Sequence, residues 1–361
     1  MHARGGRRAD RCRAGGARVV SSALHPWLDT PLREALSHQQ AHALLVQGAQ
    51  DRGPLDFSIA LARAWLCETP ARQRPGGLAC GRCGGCHLVD ERSHPDLRLL
   101  VPESLRAAAG LPADEAGESG SAKTRKPSRE IKVDAVRAAL EFIGLTPSRA
   151  GLKVLLIHPA EELNLVAANA LLKTLEEPPG PMRFVLGCGA PQALLPTLRS
   201  RCQSVVLPRP DREAALAWLQ AQGLQDAAIV LDACGGEPLR ALEQAREGRD
   251  AEAWRRFPSQ VMQGDGAGLA GWPLPVLVEA LQRLCEDRLR QALGLPARSF
   301  PQLEPLKAPV ATARMIATLT ETAAWLRTRA AQADHPWSAP LAIEALLQRT
   351  RSALDARSRP L

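Results

Sequence analysis

Tyrosine is absent from this 361-residue chain, and only seven tryptophans and five phenylalanines are present. Pleated, half-buried sheets favour aromatic and β-branched residues, so the scarcity argues against a β-sandwich and for α or α/β architecture. No stretch approaches the roughly 18 apolar residues that a membrane-spanning helix needs. The opening segment lacks the apolar core of a secretory signal. It is also poor in acids: residues 1–20 hold Arg4, Arg7, Arg8, Arg11, Arg13 and Arg18 against Asp10 alone, a charge of +5. This start imitates a transit peptide, but residues 1–24 are expected to be a disordered extension or the product of a misplaced start codon. Of the formal charge of +8, only +3 then remains for the rest, too little by itself to mark a nucleic-acid binder.

What is present begins with short apolar runs alternating with helical patterns. Ala43–Val46, Leu97–Val101, Val154–Ile157, Phe184–Leu186 and Val205–Leu207 read as strands. Helices are predicted from about Leu55 to Leu66, over Val133–Ile143, and over Leu165–Glu177. The last has Asn164 as N-cap and Pro178-Pro179-Gly180 as its stop. Strands apolar on both faces and separated by helices predict a parallel sheet covered on two sides, a Rossmann-like α/β domain over 25–209. Beyond 210 the strand signals vanish. Asp211–Gln222 and Gln225–Ala233 predict a small helical domain (210–252). Stripes such as Leu277/Leu281/Leu284/Cys285 and Ile316/Leu319/Ala323/Leu326, with a last helix beginning at Leu341–Leu347, predict an all-α third domain (258–355). Residues 107–130, rich in small, polar and charged residues, read as a flexible insertion.

Nine cysteines do not suit a disulfide scaffold of this length, and four fall within twenty residues. The compartment is read as reducing and cytoplasmic. Cys80, Cys83 and Cys86 stand at C-x2-C-x2-C spacing, with Cys67 thirteen residues earlier. A C-x2-C turn brings two sulfurs to one ion, Gly81, Gly84 and Gly85 permit tight wrapping, and four thiolates predict a structural Zn2+ site. His87 in place of one cysteine, an iron–sulfur cluster and metal-free thiols are the alternatives.

A second pattern follows the first strand: Gly48-Ala49-Gln50-Asp51-Arg52-Gly53-Pro54-Leu55. A phosphate-binding loop reads G-x4-G-K-[ST] between strand and helix. Gly48 and Gly53 are correctly separated, but Pro54 stands in place of the lysine and Leu55 in place of the magnesium-binding hydroxyl. The strand Val154–Ile157 runs into His158-Pro159-Ala160-Glu161 with no Asp at its end; Glu161 and Glu162 are out of register. No ATP is expected in this site.

Three stretches carry a family resemblance. Leu171-Leu172-Lys173-Thr174-Leu175-Glu176-Glu177-Pro178-Pro179 resembles the signature helix of bacterial clamp-loader subunits of the AAA+ class. Leu198-Arg199-Ser200-Arg201-Cys202 resembles their Ser-Arg-Cys motif. The cysteine quartet, with His94-Pro95-Asp96 after it, looks like their zinc module (67–94), and His25-Pro26-Trp27-Leu28 is similar to the start of the delta-prime type. The resemblance covers residues 25–245 well and the remainder in outline. Loss of the phosphate loop at Pro54 and Leu55 is common in delta-prime subunits, whereas the gamma/tau ATPase keeps it.

The resemblance implies an AAA+-type α/β domain, a helical lid and a helical collar. It implies a member of a hetero-pentameric ring with gamma/tau ATPase and delta subunits, which loads the sliding clamp on primer–template DNA. The chain would have no catalysis of its own within a DNA-directed DNA polymerase holoenzyme, a nucleotidyltransferase. Arg201 would be an arginine finger reaching in trans into a neighbour's ATP site, with Ser200 positioning its loop. The fixed charge and planar fork of arginine suit phosphoryl oxygens. Lys173, Glu176 and Glu177 are read as subunit-contact or packing residues, and Arg240 lies one position from the family's second sensor. Two rival readings are an active gamma/tau-type ATPase and a zinc-dependent nucleic-acid-binding module unconnected with clamp loading.

Overall fold

The computed structural model describes residues 24–38, 41–112, 127–149, 151–306, 312–331 and 339–355. The expected extension, apart from Leu24, and the centre of the expected insertion lie outside the described residues. The chain divides into two compact units, one ending at Pro208 and the other starting at Arg209.

The first unit runs α1 (Asp29–His38), β1 (Ala43–Gln47), α2 (Pro54–Trp65), α3 (Gly84–Asp90), β2 (Leu97–Leu100), α4 (Val133–Ile143), β3 (Lys153–Ile157), α5 (Leu165–Glu176), β4 (Met182–Cys188), α6 (Pro196–Arg199) and β5 (Gln203–Val206). The strands form one all-parallel sheet in the order β2-β3-β4-β1-β5. Leu45 lies opposite Leu186, and Leu155 opposite Phe184. Alternate residues of the central strands face opposite layers. Leu45, Leu155, Ile157, Phe184 and Leu186 share a core with Val136, Ala139, Ile143, Ala168, Leu171 and Leu175 of α4 and α5. On the other face, α2 packs against β1, β3 and β4. The expected two-sided burial holds for β1, β3 and β4, which are central. In β5, an edge strand, only Val205 is buried, and Val206 is 67% exposed. An edge strand has a neighbour on one side only, so its outer flank stays wet.

Asn164 caps α5 as expected: its Oδ1 accepts from Ala167 N at 2.8 Å. The flanks of the expected insertion are ordered. Ala109 is fully buried, and its carbonyl accepts from Arg92 Nε at 3.2 Å.

The second unit contains α7 (Arg212–Ala221), α8 (Ala227–Ala233), α9 (Pro238–Arg246), α10 (Ala251–Gln263), α11 (Leu274–Ala292), α12 (Ala313–Ala331) and α13 (Ala339–Leu354). Residues from Ala215 to Leu354 contribute to a single hydrophobic core. The gap left by the sequence reading between 252 and 258 is occupied by α10, which runs straight through it with Pro258 inside. An interior proline costs about 3 kcal/mol. Trp254, Phe257 and Val261, all essentially inaccessible, offset that cost by burial. In α12 the expected Leu319 and Leu326 are buried, but Met315 and Thr322 are buried where Ile316 and Ala323, themselves half-buried, were expected. At the end of α11, buried Asp287 accepts from the backbone N–H groups of Arg298, Ser299 and Phe300 at 2.8, 2.9 and 2.7 Å, anchoring the following turn.

Candidate functional site

In an open parallel sheet, ligands bind beyond the carboxyl ends of the strands. Here the ends of β1 and β4 are tied together, with Gly48 N donating to Cys188 O at 3.0 Å. Gly53, at φ +84°, makes the left-handed turn into α2, as only a residue without Cβ does comfortably. Pro54 is buried at the first helical position, where it supplies no N–H. Asp56 lies in the first turn of α2, 3.6 Å from His25 Nε2. A Cβ at Gly53 would meet Asp56 Oδ2 at 3.2 Å, Leu28 at 3.3 Å and His25 at 3.4 Å. Trp27 stacks on His25 at 4.9 Å and donates its indole N–H to Arg52 O at 3.1 Å. The helix N-terminus, which favours an anion, therefore already has the chain's own carboxylate and is overlaid by residues 25–28.

The end of β3 is closed as well. His158 and Pro159 follow Ile157, and Glu161 reaches across to the end of β4. Its Oε1 accepts from Gly189 N at 2.8 Å and Ala190 N at 3.1 Å. Burial and the neighbouring Glu161 push the Glu162 carboxyl above its usual range. Burial, helped by Glu161, pushes the Cys188 thiol up to about 12, so it stays protonated.

The four predicted cysteines converge. Their sulfurs lie within 4.8 Å of one another, with Cys67–Cys83 at 3.8 Å and Cys80–Cys86 at 4.0 Å. Four sulfurs at about 2.3 Å from a tetrahedral zinc are about 3.8 Å apart. The quartet therefore fits a metal ion, and among the described residues it is the only such cluster. His87 is exposed and outside it. Local structure builds the cage: Cys83 caps α3, its sulfur accepting from Cys86 N at 3.4 Å, and Cys80 N points to Cys67 Sγ at 3.4 Å. A Cβ on Gly85 would sit 2.5 Å from Leu66 O, so glycine is required for the close approach. A hydrogen bond from Thr69, with backbone N–H groups, holds the Cys80 thiol down at about 5. Burial raises Cys86 to about 12, since neighbouring sulfurs without a cation do not all ionise together.

This cage is fastened to the sheet by Asp96, quoted from the sequence only as part of a motif, and by Glu68, Ser148, Arg149 and Lys153, which the sequence reading did not single out. Asp96, fully buried, accepts from Ser148 N at 2.7 Å and Arg149 N at 2.8 Å, with Lys153 Nζ 3.9 Å away. Arg149 in turn grips Glu68, next to Cys67, at 2.6 and 3.0 Å. That arginine and the N–H of Gly85 hold the Glu68 carboxyl below its usual range. Burial lowers the His94 pKa. Only the pairing of distant segments brings these groups together, so periodicity had no means of finding them. Asp56 was legible as an acid three residues into a helix, but its partner His25 was not.

Ser200 and Arg201 follow the single turn of α6. Ser200 Oγ donates to Thr197 O at 3.1 Å, and Arg201 Nη1 donates to the same carbonyl at 2.8 Å. Arg201 also ion-pairs with Glu176 of α5, Nε to Oε1 at 2.5 Å. The Cys202 thiol is pushed up to about 11 by burial. Arg240 is bound to Glu279 within the second unit.

The five-stranded parallel sheet covered by helices, with a phosphate-loop-like turn after its first strand and a cysteine cage that fits a metal ion, defines a Rossmann-like α/β class with an added cysteine module. The family model described as "DNA polymerase III, delta subunit" matches residues 28–211, half of the chain. The chain is 36% identical over 231 residues to DNA polymerase III subunit delta' of Pseudomonas aeruginosa, covering 63% of this chain and 61% of that one. It is 35% identical over 225 residues to the delta' subunit of Escherichia coli K12, covering 60% of each. Against DNA polymerase III subunit tau of Salmonella typhimurium it is 28% identical, over 62% of this chain and 30% of that one. The chain thus belongs to the bacterial DNA polymerase III delta' subunit family, and its match spans about 60% of the length of these delta' relatives. No described helix is long and apolar enough to cross a membrane.

Proposed function

We propose that this chain is a clamp-loader ring member that has given up its own nucleotide and serves its neighbour's. It assembles with gamma/tau-type ATPase and delta subunits, and the ring loads the sliding clamp on primed DNA. Zn2+ held by Cys67, Cys80, Cys83 and Cys86 is structural, since four thiolates leave no open coordination position. Residues 25–209 act as the AAA+-like body, 210–252 as a helical lid and 258–355 as a collar. Arg201 acts as the finger in trans, with Ser200 positioning its loop through Thr197 O.

The observation that carries this reading is the contrast within one sheet. The chain's own loop is overlaid by His25 and Trp27, has Pro54 in place of the lysine and Asp56 at the start of its helix, while Arg201 keeps a guanidinium that is about one-third accessible. Arginine fingers are worth roughly 10³–10⁵ in rate in GTPases. The experiment is reconstitution with the ATPase and delta subunits, comparing the native chain with Arg201→Ala. ATP turnover of the complex is expected to fall at least about tenfold with assembly intact. Unchanged turnover in an assembled complex refutes the finger assignment.

A further inference from the structure

The signature helix α5 ends on Glu176, whose carboxylate is directed at the Arg201 guanidinium. Nε donates to Glu176 Oε1 at 2.5 Å, Nη2 is ion-paired with the same oxygen, and Nη1 donates to Thr197 O at 2.8 Å. Guanidinium has five N–H donors in a fixed plane. Three are engaged, and each terminal nitrogen keeps one N–H without a partner among the described residues. Two donors on one rigid fork match two phosphoryl oxygens.

The pair is a poor choice for folding. Its side chains are 32% and 46% exposed, and ion pairs that wet contribute little to stability. Its geometric effect is larger. An unrestrained arginine side chain samples many rotamers, and ordering it on arrival at a phosphate has an entropic cost. The clamp is made by two rigid elements: α5, packed into the sheet core through Leu171 and Leu175, and the α6 turn, anchored by buried Leu198. Lys173 of the same helix and Glu177 just beyond its end form no ion pair or hydrogen bond with Arg201, which singles out Glu176.

We infer that Glu176 is a positioning residue, which orients the Arg201 fork for a phosphoryl group in an adjoining subunit. This rests on the finger reading above. Glu176 touches no phosphate itself. It takes up one edge of the guanidinium and leaves the terminal N–H groups to the ligand.

The test uses the full chain in the reconstituted complex with ATPase and delta subunits, reading kcat and KM for ATP hydrolysis. Glu176→Ala is expected to lower kcat about tenfold with KM unchanged, less than the roughly 10²-fold that a 1 Å misplacement can cost, because Thr197 O still holds one edge of the fork. Glu176→Gln keeps an acceptor and is expected to remain within about threefold of the native value. In an Arg201→Ala background, Glu176→Ala is expected to have no further effect, since it acts only through that arginine. Should Glu176→Ala fail to assemble, Glu176→Asp, whose carboxylate is one methylene short of the guanidinium, replaces it with the same expected fall. Unchanged kcat in an assembled Glu176→Ala complex overturns the proposal while leaving the finger standing, as does an additional fall in the Arg201→Ala background. Arg201→Ala without effect removes both.

Discussion

Replacing Asp96 by alanine tests whether the cysteine cage and the sheet are one mechanical unit. Asp96 is completely inaccessible and accepts from Ser148 N and Arg149 N, while Lys153, 4% exposed, has its ammonium 3.9 Å away. Hydrogen bonds to a charged acceptor are worth about 1.5–3 kcal/mol each. Breaking a buried pair by removing one partner costs about 3–5 kcal/mol, because the other charge is left uncompensated. These overlap, since all involve one carboxylate, so we expect a loss of about 3–5 kcal/mol. Lys153 keeps its ammonium 4.0 Å over the Phe142 ring, a partial compensation that argues for the lower end. Asp96→Asn retains one acceptor oxygen but aims an N–H at a backbone N–H, and its cost falls between wild type and alanine. The assay is hydrogen exchange at β2 and β3, where Val154 N donates to Asp96 O at 2.9 Å. Opening free energies report on this unit alone, which global unfolding of a two-unit chain does not. A change under about 1 kcal/mol for Asp96→Ala would show that the pair is not a structural anchor.

Restoring the phosphate-loop residues with Pro54→Lys and Leu55→Thr is expected not to restore Mg-ATP binding by calorimetry, because Asp56, His25 and Trp27 still cover the helix start; tight binding by the double variant would refute that account. Treatment with a strong chelator is expected to release one zinc per chain and to expose thiols. At pH 7 alkylation read by mass spectrometry should then be fastest at Cys80, whose pKa of about 5 leaves it as thiolate. Cys188 and Cys285, at about 12, remain protonated and unlabelled while the fold persists. Raising the pH to 9 moves neither of these across its pKa, so labelling of Cys188 at pH 9 without unfolding would contradict its burial. Gly85→Ala places a methyl 2.5 Å from Leu66 O, so it is expected to weaken metal retention in a chelator competition, with a structural cost of about 1–3 kcal/mol.

Local chemistry was enough to foresee the three central strands, the Asn164 cap and the convergence of four cysteines into a cluster that fits a metal ion. Each depends on spacing along a few residues: four apolar positions in a row, an oxygen three residues before an N–H, two sulfurs across a C-x2-C turn. The sequence reading failed where a distant partner outweighed local preference. The reading left residues 253–257 between two helical domains, yet α10 runs through them and past Pro258, with Trp254 and Phe257 packed against Trp272 and Phe300. In α12 Leu319 and Leu326 were legible from their spacing, whereas the burial of Thr322 was not announced by its polarity.

At the site the division is equally physical. That Gly48–Leu55 lacks the lysine and the hydroxyl of a phosphate-binding loop is read from the residues alone, whatever the fold does. That the loop is also covered, that Asp96 holds residues 148–149 beside the sheet, and that Glu176 holds Arg201 are contacts between segments 25 to 53 residues apart. Such contacts depend on the order of strands in the sheet and the direction of each helix. Side-chain chemistry can be read one residue at a time, but mutual placement exists only after the chain has closed on itself.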